Sequence, residues 1–398
     1  MFKNIVVFTL ILVGAFPVLA FAAYKLPDTG QGLCYPTDGT TGQLSTCVGT
    51  GQDGEYDFNP LSYFTDNGNG TVTDNNTGLM WQKNSQPDYY NWYEAAGIHN
   101  EIYNSSNLNA CSSIGNGWRL PTLKELISIL DFSGSNVGLT IDSSFSCAND
   151  GRYWANTDNN TAQSVDFNFG TYYASEDPSN GLYHVRCVRD QEVGPPVRQK
   201  LVNSLVGTVT DTSTGLMWLK TPPPGPMTLG ASLSYCQTLN VEGTPGWRLP
   251  NIKELESWLT DTRALNMDFF SGALTDDFYW TSTTDYVHSD DVLGIDVRDG
   301  TMSPRLKDDG LGNMKHYVQC VRSIPKVLDG DLNGDEQVTI IDVLLALRAV
   351  VDLDAKTQFY FDHADIAPIN SGTPTKDNAI TPADALLILQ KAVGLVSW

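Results

Sequence analysis

One phrase occurs twice in the chain and fixes what it can fold into. Trp118-Arg119-Leu120-Pro121-Thr122 returns as Trp247-Arg248-Leu249-Pro250-Asn251, each opening a helical stretch at Leu123-Lys124-Glu125-Leu126 and Ile252-Lys253-Glu254-Leu255. The surrounding landmarks keep the same order. Gly70-Thr71-Val72-Thr73-Asp74 and Gly78-Leu79-Met80-Trp81 answer Gly207-Thr208-Val209-Thr210-Asp211 and Gly215-Leu216-Met217-Trp218. Downstream, Tyr153-Trp154 answers Tyr279-Trp280, and Val185-Arg186-Cys187-Val188-Arg189 answers Val318-Gln319-Cys320-Val321-Arg322. Five landmarks repeated in one order describe a tandem duplication. The repeat is far longer than a solenoid unit, so each copy is expected to carry its own core.

The expected organisation follows from these landmarks. Residues 1–22 read as a signal peptide, with Lys3 before the apolar run Ile5 to Phe16 and small residues at Ala20 to Ala23. Residues 23–59 form an extended lead-in, residues 60–190 the first repeat, residues 199–323 the second, and residues 327–398 a separate C-terminal module. Pro195-Pro196 marks the linker between the repeats. No later apolar stretch is long enough to span a bilayer, so a secreted or cell-surface protein without a transmembrane anchor is expected. The formal charge of −22 argues against nucleic acid as a partner, since phosphate binders need a basic stripe.

Export permits disulfides, and there are seven cysteines. The duplication pairs Cys111 with Cys187 and Cys236 with Cys320, each closing one repeat; Cys34 and Cys47 pair locally, leaving Cys147 free. Within each repeat, Pro121 and Pro250 suit the first turn of a helix. Its apolar stripe is Leu123, Leu126, Ile127 and Leu130 in the first copy, and Ile252, Leu255, Trp258 and Leu259 in the second.

The ordered set GTVTD, GLMW, WRLP, YW and VRCVR resembles the Lcl C-terminal domain family of bacterial exported proteins. The resemblance covers both repeats. It implies a variant of the C-type-lectin-like fold, a ligand-binding or adhesive role, and no reaction. The C-terminal module resembles a dockerin, an EF-hand-related pair. The expected class is therefore α+β: two tandem C-type-lectin-like domains plus a small all-α dockerin-like module.

The chemistry of that module can be argued from its residues. Calcium takes six to eight oxygens, and a twelve-residue loop supplies them at alternating positions. From Asp331 the first loop offers Asp331, Asn333, Asp335, the carbonyl of Gln337, and Asp342 opening the helix. The second is less regular. Asp365 would be its first ligand, an insertion from Ile366 to Lys376 follows, and then Asp377, the carbonyl of Ala379, and Asp384. The bland reading is an acidic turn capping a helix through Asp342 or Asp384. The dockerin resemblance implies a cohesin-like partner, although Ile340-Ile341 and Pro382-Ala383 are apolar where such modules commonly carry hydroxyls.

No catalytic motif stands out. Arg119 with Glu125, and Arg248 with Glu254, read as ion pairs fixing helix starts. The five histidines are scattered without metal-ligand spacing. A ligand surface is expected between the Tyr-Trp strand and the last strand, where the copies differ most. The first copy offers Asp166, Asn168, Tyr172 and Tyr173, and the second Asp285, Tyr286, His288 and Asp290. Aromatic faces beside carboxylates and amides suit sugar rings. The expectation is an exported, non-enzymatic, calcium-binding protein that adheres to an extracellular glycan or a surface protein. Its rivals are an accessory component of a polysaccharide-degrading assembly tethered by the tail, and a glycosidase of the same fold.

Overall fold

The structure is a computed structural model. It describes residues 26, 28–56, 64–75, 77–104, 109–133, 139–146, 151–156, 162–190, 201–203, 207–211, 213–241, 245–259, 269–270, 277–285, 287–323, 330–332, 338–351, 353, 363–370, 373–375, 377 and 379–396. The expected signal peptide, Cys147 and the linker prolines lie outside these residues.

The two repeats fold alike. The first runs β1 (Phe64–Asp66), β2 (Thr71–Asp74), β3 (Leu79–Gln82), α1 (Trp92–Ala96), α2 (Leu123–Ser128), β4 (Arg152–Ala155), β5 (Ala162–Asp166), β6 (Thr171–Glu176) and β7 (Val188–Asp190). The second follows with β8 (Leu201–Asn203), β9 (Thr208–Asp211), β10 (Leu216–Leu219), α3 (Leu229–Thr238), α4 (Ile252–Trp258), β11 (Phe278–Thr284), β12 (Asp291–Asp296), β13 (Thr301–Leu306) and β14 (Val321–Ser323). The tail holds α5 (Ile340–Val350), the two-residue strands β15 (Ile369–Asn370) and β16 (Thr373–Pro374), and α6 (Pro382–Ala392). The described residues thus form six α-helices among antiparallel sheets, an α+β architecture. None of those helices is long and apolar enough to cross a membrane.

Each repeat builds a small sheet from its first and last strands, ordered β1-β2-β3-β7 and β14-β10-β9-β8. The turn between the second and third landmark strands explains a repeated glycine. Gly78 and Gly215 take φ of 71° and 72° and donate their amides to Asp74 and Asp211, a left-handed conformation that glycine adopts without strain.

The helix that opens each WRLP phrase starts one residue later than the proline suggests. Thr122 and Asn251 are the N-caps, so Pro121 and Pro250 precede the cap and do not occupy the first turn. Each cap accepts the amide of Glu125 or Glu254, and each glutamate reaches back to the amide of the cap residue. This reciprocal pair is a capping box. Arg119 and Arg248 then clamp the same glutamates with both guanidinium nitrogens.

Three disulfides join Cys111–Cys187 and Cys236–Cys320, as the duplication implied, and Cys34–Cys47, the expected local pair. Trp92, Trp118 and Trp154 pack around Cys111–Cys187, and Trp247 and Trp280 around Cys236–Cys320.

The repeats do not stand apart. Strands β6 and β13 pair at Tyr172 and Met302, fusing both halves into one six-stranded sheet ordered β11-β12-β13-β6-β5-β4. One apolar core, with Trp81, Leu126 and Tyr172 on one side and Trp218, Leu255 and Met302 on the other, runs through both. Helices α2 and α4 meet beneath it. The Lys124 ammonium donates to the Leu259 carbonyl at 2.8 Å, and that of the equivalent Lys253 to the Ser128 carbonyl at 3.1 Å. Each lysine thus reaches the C-terminal end of the opposite helix, where the helix dipole favours a cation. The arrangement is an intramolecular version of a two-fold dimer interface.

The lead-in is sewn into this joint. The Gln31 side chain makes two 2.8 Å bonds with the Thr284 backbone, and the Phe132 amide donates to the Thr29 carbonyl at 2.7 Å. Asp53 Oδ2 accepts the hydroxyls of Thr29 and Thr283 at 2.7 and 2.6 Å. Residues expected as an extended lead-in therefore touch both repeats.

Candidate functional site

The tail shows its own internal symmetry. Helix α5 is capped by Thr339 and α6 by Thr381, each in a capping box closed by Asp342 or Asp384. Asp342 Oδ1 accepts the Leu332 amide at 2.7 Å, and Asp384 Oδ1 accepts the Ile366 amide at 2.8 Å. Their other oxygens accept the amides and hydroxyls of Thr339 and Thr381. This matching places Asp365 opposite Asp331 as the first residue of its loop. The insertion that obscured the match in sequence carries the β15–β16 pair.

The expected ligands divide accordingly. Asp331, Asp342, Asp365 and Asp384 are all buried, at 2, 0, 0 and 0% exposure. Asp365 Oδ1 accepts the Asp377 amide at 3.0 Å, while Asp377 itself is exposed and turns back on the Ala379 amide. Asn333, Asp335 and Gln337 lie outside the described residues. Burying four carboxylates in a module of two short helices is costly unless positive charge meets them.

A second candidate is the Arg152 end of the joint sheet's other face, which elsewhere packs the second core of each repeat through Trp154 and Ala162 and through Phe278, Trp280 and Val292. On β4, Arg152 lies with its guanidinium 4.1 Å over the Tyr173 ring and 5.5 Å from that of Tyr183. It pairs with Glu176 at 3.2 Å and Asp166 at 3.4 Å, and donates to the Tyr183 hydroxyl at 3.1 Å. Burial pushes the Tyr183 phenol up from its ordinary value. In repeat 2 the buried Phe278 stands on β11 where Arg152 stands on β4, and Arg305 on β13 reaches its ring at 4.8 Å. Gly294 permits this, because a Cβ there would meet the Phe278 ring at 2.4 Å. Asp296, opposite Phe278 in the register, binds Arg298.

Of the residues nominated in repeat 1, Asp166 and Tyr173 belong to this face. Asn168 sits in the β5–β6 turn, its amide donating to Asp166 at 2.9 Å. Tyr172 does not belong. It is fully buried, and its hydroxyl donates to Glu256 of the other repeat at 2.7 Å. Side chains alternate along a strand, so neighbours on β6 must face opposite ways. Arg152 and Glu176 were missed because ion pairs across strands have no sequence spacing.

The nominated residues of repeat 2 gather elsewhere, in the hairpin between β11 and β12. Asp285, His288 and Asp291 bring one ligand atom each within 4.8 Å of one another. Asp285 Oδ2 lies 3.5 Å from His288 Nδ1, and its Oδ1 accepts the Val287 amide at 2.8 Å. Lys307 closes the turn beneath, donating its ammonium to the Ser289 carbonyl at 2.8 Å. Burial pushes the Asp285 and Asp291 carboxyls up and the Lys307 ammonium down to about 8. Tyr286 lies outside the described residues. Asp291 was missed, although the three-residue spacing Asp285, His288, Asp291 is visible in the sequence.

The trailing arginines serve the fold. Arg186 is fully buried and donates to the carbonyls of Gln82, Lys83 and Ser146, and Arg189 stacks 5.2 Å from Trp118.

Comparison with known proteins agrees with this duplication. No curated protein matches the chain. The family model of the Lcl C-terminal domain matches twice, at residues 70–189 and 207–322, and the two matches bracket the landmark strands of each repeat. Together they cover more than half of the chain, which therefore belongs to the Lcl C-terminal domain family.

Proposed function

We propose that the chain is an exported, non-catalytic adhesin in which two C-type-lectin-like repeats bind an extracellular glycan on the face of their joint sheet. One observation supports this most. In repeat 1 the partly exposed Arg152 lies over the rings of Tyr173 and Tyr183 on the sheet, with Glu176 beside it, whereas the matching Phe278 of repeat 2 is buried in its own core. Aromatic faces take the apolar side of sugar rings, and flanking charged groups take their hydroxyls. Because Arg152 is matched by Glu176 and Asp166, the face favours neutral glycans over sulfated ones. Three disulfides fit an oxidising compartment.

A glycan array probed with the whole secreted chain tests this. Retention on neutral glycans is expected, with Arg152→Ala and Tyr173→Ala weakening it by about tenfold or more, since one lost stacked or charge-assisted contact is worth ~1–2 kcal/mol. Silence across every glycan class sinks the reading.

In the same proposal the tail binds two calcium ions, through Asp331, Asn333, Asp335, Gln337 and Asp342, and through Asp365, Asp377, Ala379 and Asp384. Calcium would neutralise the buried carboxylates. At a hundredfold excess over its dissociation constant, calcium should stabilise the tail by about 2.7 kcal/mol for each site filled. Hydrogen exchange of α5 and α6 with and without chelator measures it; equal protection in both states contradicts calcium binding.

A second reading, tethering of the chain by its tail, has an observation of its own. On α5, Ile340, Ile341, Leu344 and Leu347 are 65, 52, 59 and 44% exposed, and Leu386 on α6 is 53% exposed. A cohesin-like partner would cover them. Pull-down in saturating calcium decides between tethering and a free tail.

A further inference from the structure

We infer that the β11–β12 hairpin holds a divalent transition-metal ion on Asp285, His288 and Asp291. The hairpin geometry brings these side chains together. The Asp285 amide donates to the Asp291 carbonyl at 3.1 Å and the Asp291 amide to the His288 carbonyl at 2.9 Å, so the turn is closed from both ends. The three ligand atoms then lie within 4.8 Å, a spread that a small closure of the turn brings to metal-ligand spacing.

The donor set selects the ion. Two carboxylate oxygens with one imidazole nitrogen suit zinc or manganese, whereas calcium prefers oxygen alone. Asp291 Oδ1 gives the second observation. It is sealed from solvent and accepts no hydrogen bond among the described residues. A buried carboxylate oxygen without a donor is expensive, and a cation would remove that cost. The supporting contacts are also present. The Val287 amide holds Asp285 in place, and Lys307 pins the Ser289 carbonyl of the turn. Such outer contacts orient metal ligands. In repeat 1 the corresponding segment, Asn156-Thr157-Asp158-Asn159-Asn160-Thr161, has no histidine, so the site is peculiar to repeat 2.

The ion would brace the hairpin beside Thr284, where Gln31 of the lead-in is bound. It is separate from the tail sites and from the glycan face, and its test is independent of both. The whole secreted chain, stripped of metal and then saturated with calcium to fill the tail, is titrated with Zn²⁺ by calorimetry and with Mn²⁺ by paramagnetic resonance. One tight Zn²⁺ per chain is expected. His288→Gln and Asp291→Asn should each weaken it by ~10- to 100-fold or more, at least the effect of losing an outer-shell partner. The His288 side chain is 58% exposed, so His288→Gln should keep the wild-type melting temperature without zinc. His99→Gln is the control and should bind as wild type. The inference is overturned if the wild type takes up neither Zn²⁺ nor Mn²⁺, or if His288→Gln binds zinc as the wild type does.

Discussion

Arg248→Ala should destabilise the protein by about 3–5 kcal/mol, while Arg119→Ala, the same substitution in the other repeat, should cost only ~1 kcal/mol. Both arginines make a two-pronged clamp on the glutamate of a capping box. They differ in burial. The side chains of Arg248 and Glu254 are 6 and 8% exposed, against 33 and 16% for Arg119 and Glu125. Removing Arg248 would leave the Glu254 carboxylate buried without its counter-ion. Removing Arg119 exposes a pair that water already reaches. The cause of the difference is the lead-in, which covers repeat 2: the Tyr56 ring lies 5.3 Å from the Arg248 guanidinium. Urea unfolding of the two variants measures the contrast. Equal losses would show that the clamp, and not its burial, sets the cost. The double replacement Arg248→Met with Glu254→Leu should recover much of the loss, because an apolar pair leaves no stranded charge.

That asymmetry also shows where the sequence was legible. The duplication, the three disulfides and the start of α2 and α4 follow from local phrases and their order. The capping box is also written in the spacing Thr122 to Glu125 and Asn251 to Glu254, although Pro121 and Pro250, one residue before the caps, mimic a first-turn proline. Contacts between distant segments were not legible. Strand β13 contains Pro304, which reads as a break, yet it joins the repeats. Tyr172 and Tyr173 look equivalent in sequence, and only the pleat of β6 sends one into the joint and the other to the surface. The lead-in has no apolar period, because its attachment is made by buried polar groups: Thr29, Gln31, Gln52 and Asp53 are all less than 5% exposed. Gln31 and Asp53 bind Thr284 and Thr283 of repeat 2, the Thr29 carbonyl takes the Phe132 amide of repeat 1, and Gln52 braces Tyr35 within the lead-in; hydrophobic patterning says nothing about such bonds.

Asp53 is the most consequential of these buried groups, and its substitution Asp53→Asn should stabilise the protein above pH 7. Burial pushes its carboxyl from the ordinary 3.8 up to about 7, and the negative charges of Asp28 and Glu254 add to the effect, while the Thr29 and Thr283 hydroxyls oppose it. Between about pH 4 and 7 the folded state therefore holds a proton that the unfolded chain has lost. Stability from this group is fully present below the unfolded value and drains away as pH rises through the folded one, at ~1.4 kcal/mol per pH unit. The whole window amounts to something on the order of 4 kcal/mol. Asparagine keeps an oxygen for both threonine hydroxyls and never ionises, so the variant should lose this slope. The charged neighbours do not blur the comparison. Arg248 stays charged throughout, and Lys253, lowered by burial to about 8, changes protonation above the window. Its own contribution has the opposite sign, since stability rises with pH as the unfolded chain keeps the proton that the folded state sheds. Unfolding free energies of wild type and Asp53→Asn from pH 4 to 8 isolate the group. The curves should diverge as pH rises, with the variant on top at pH 8; parallel curves would mean that the lead-in is held at this point without a buried proton.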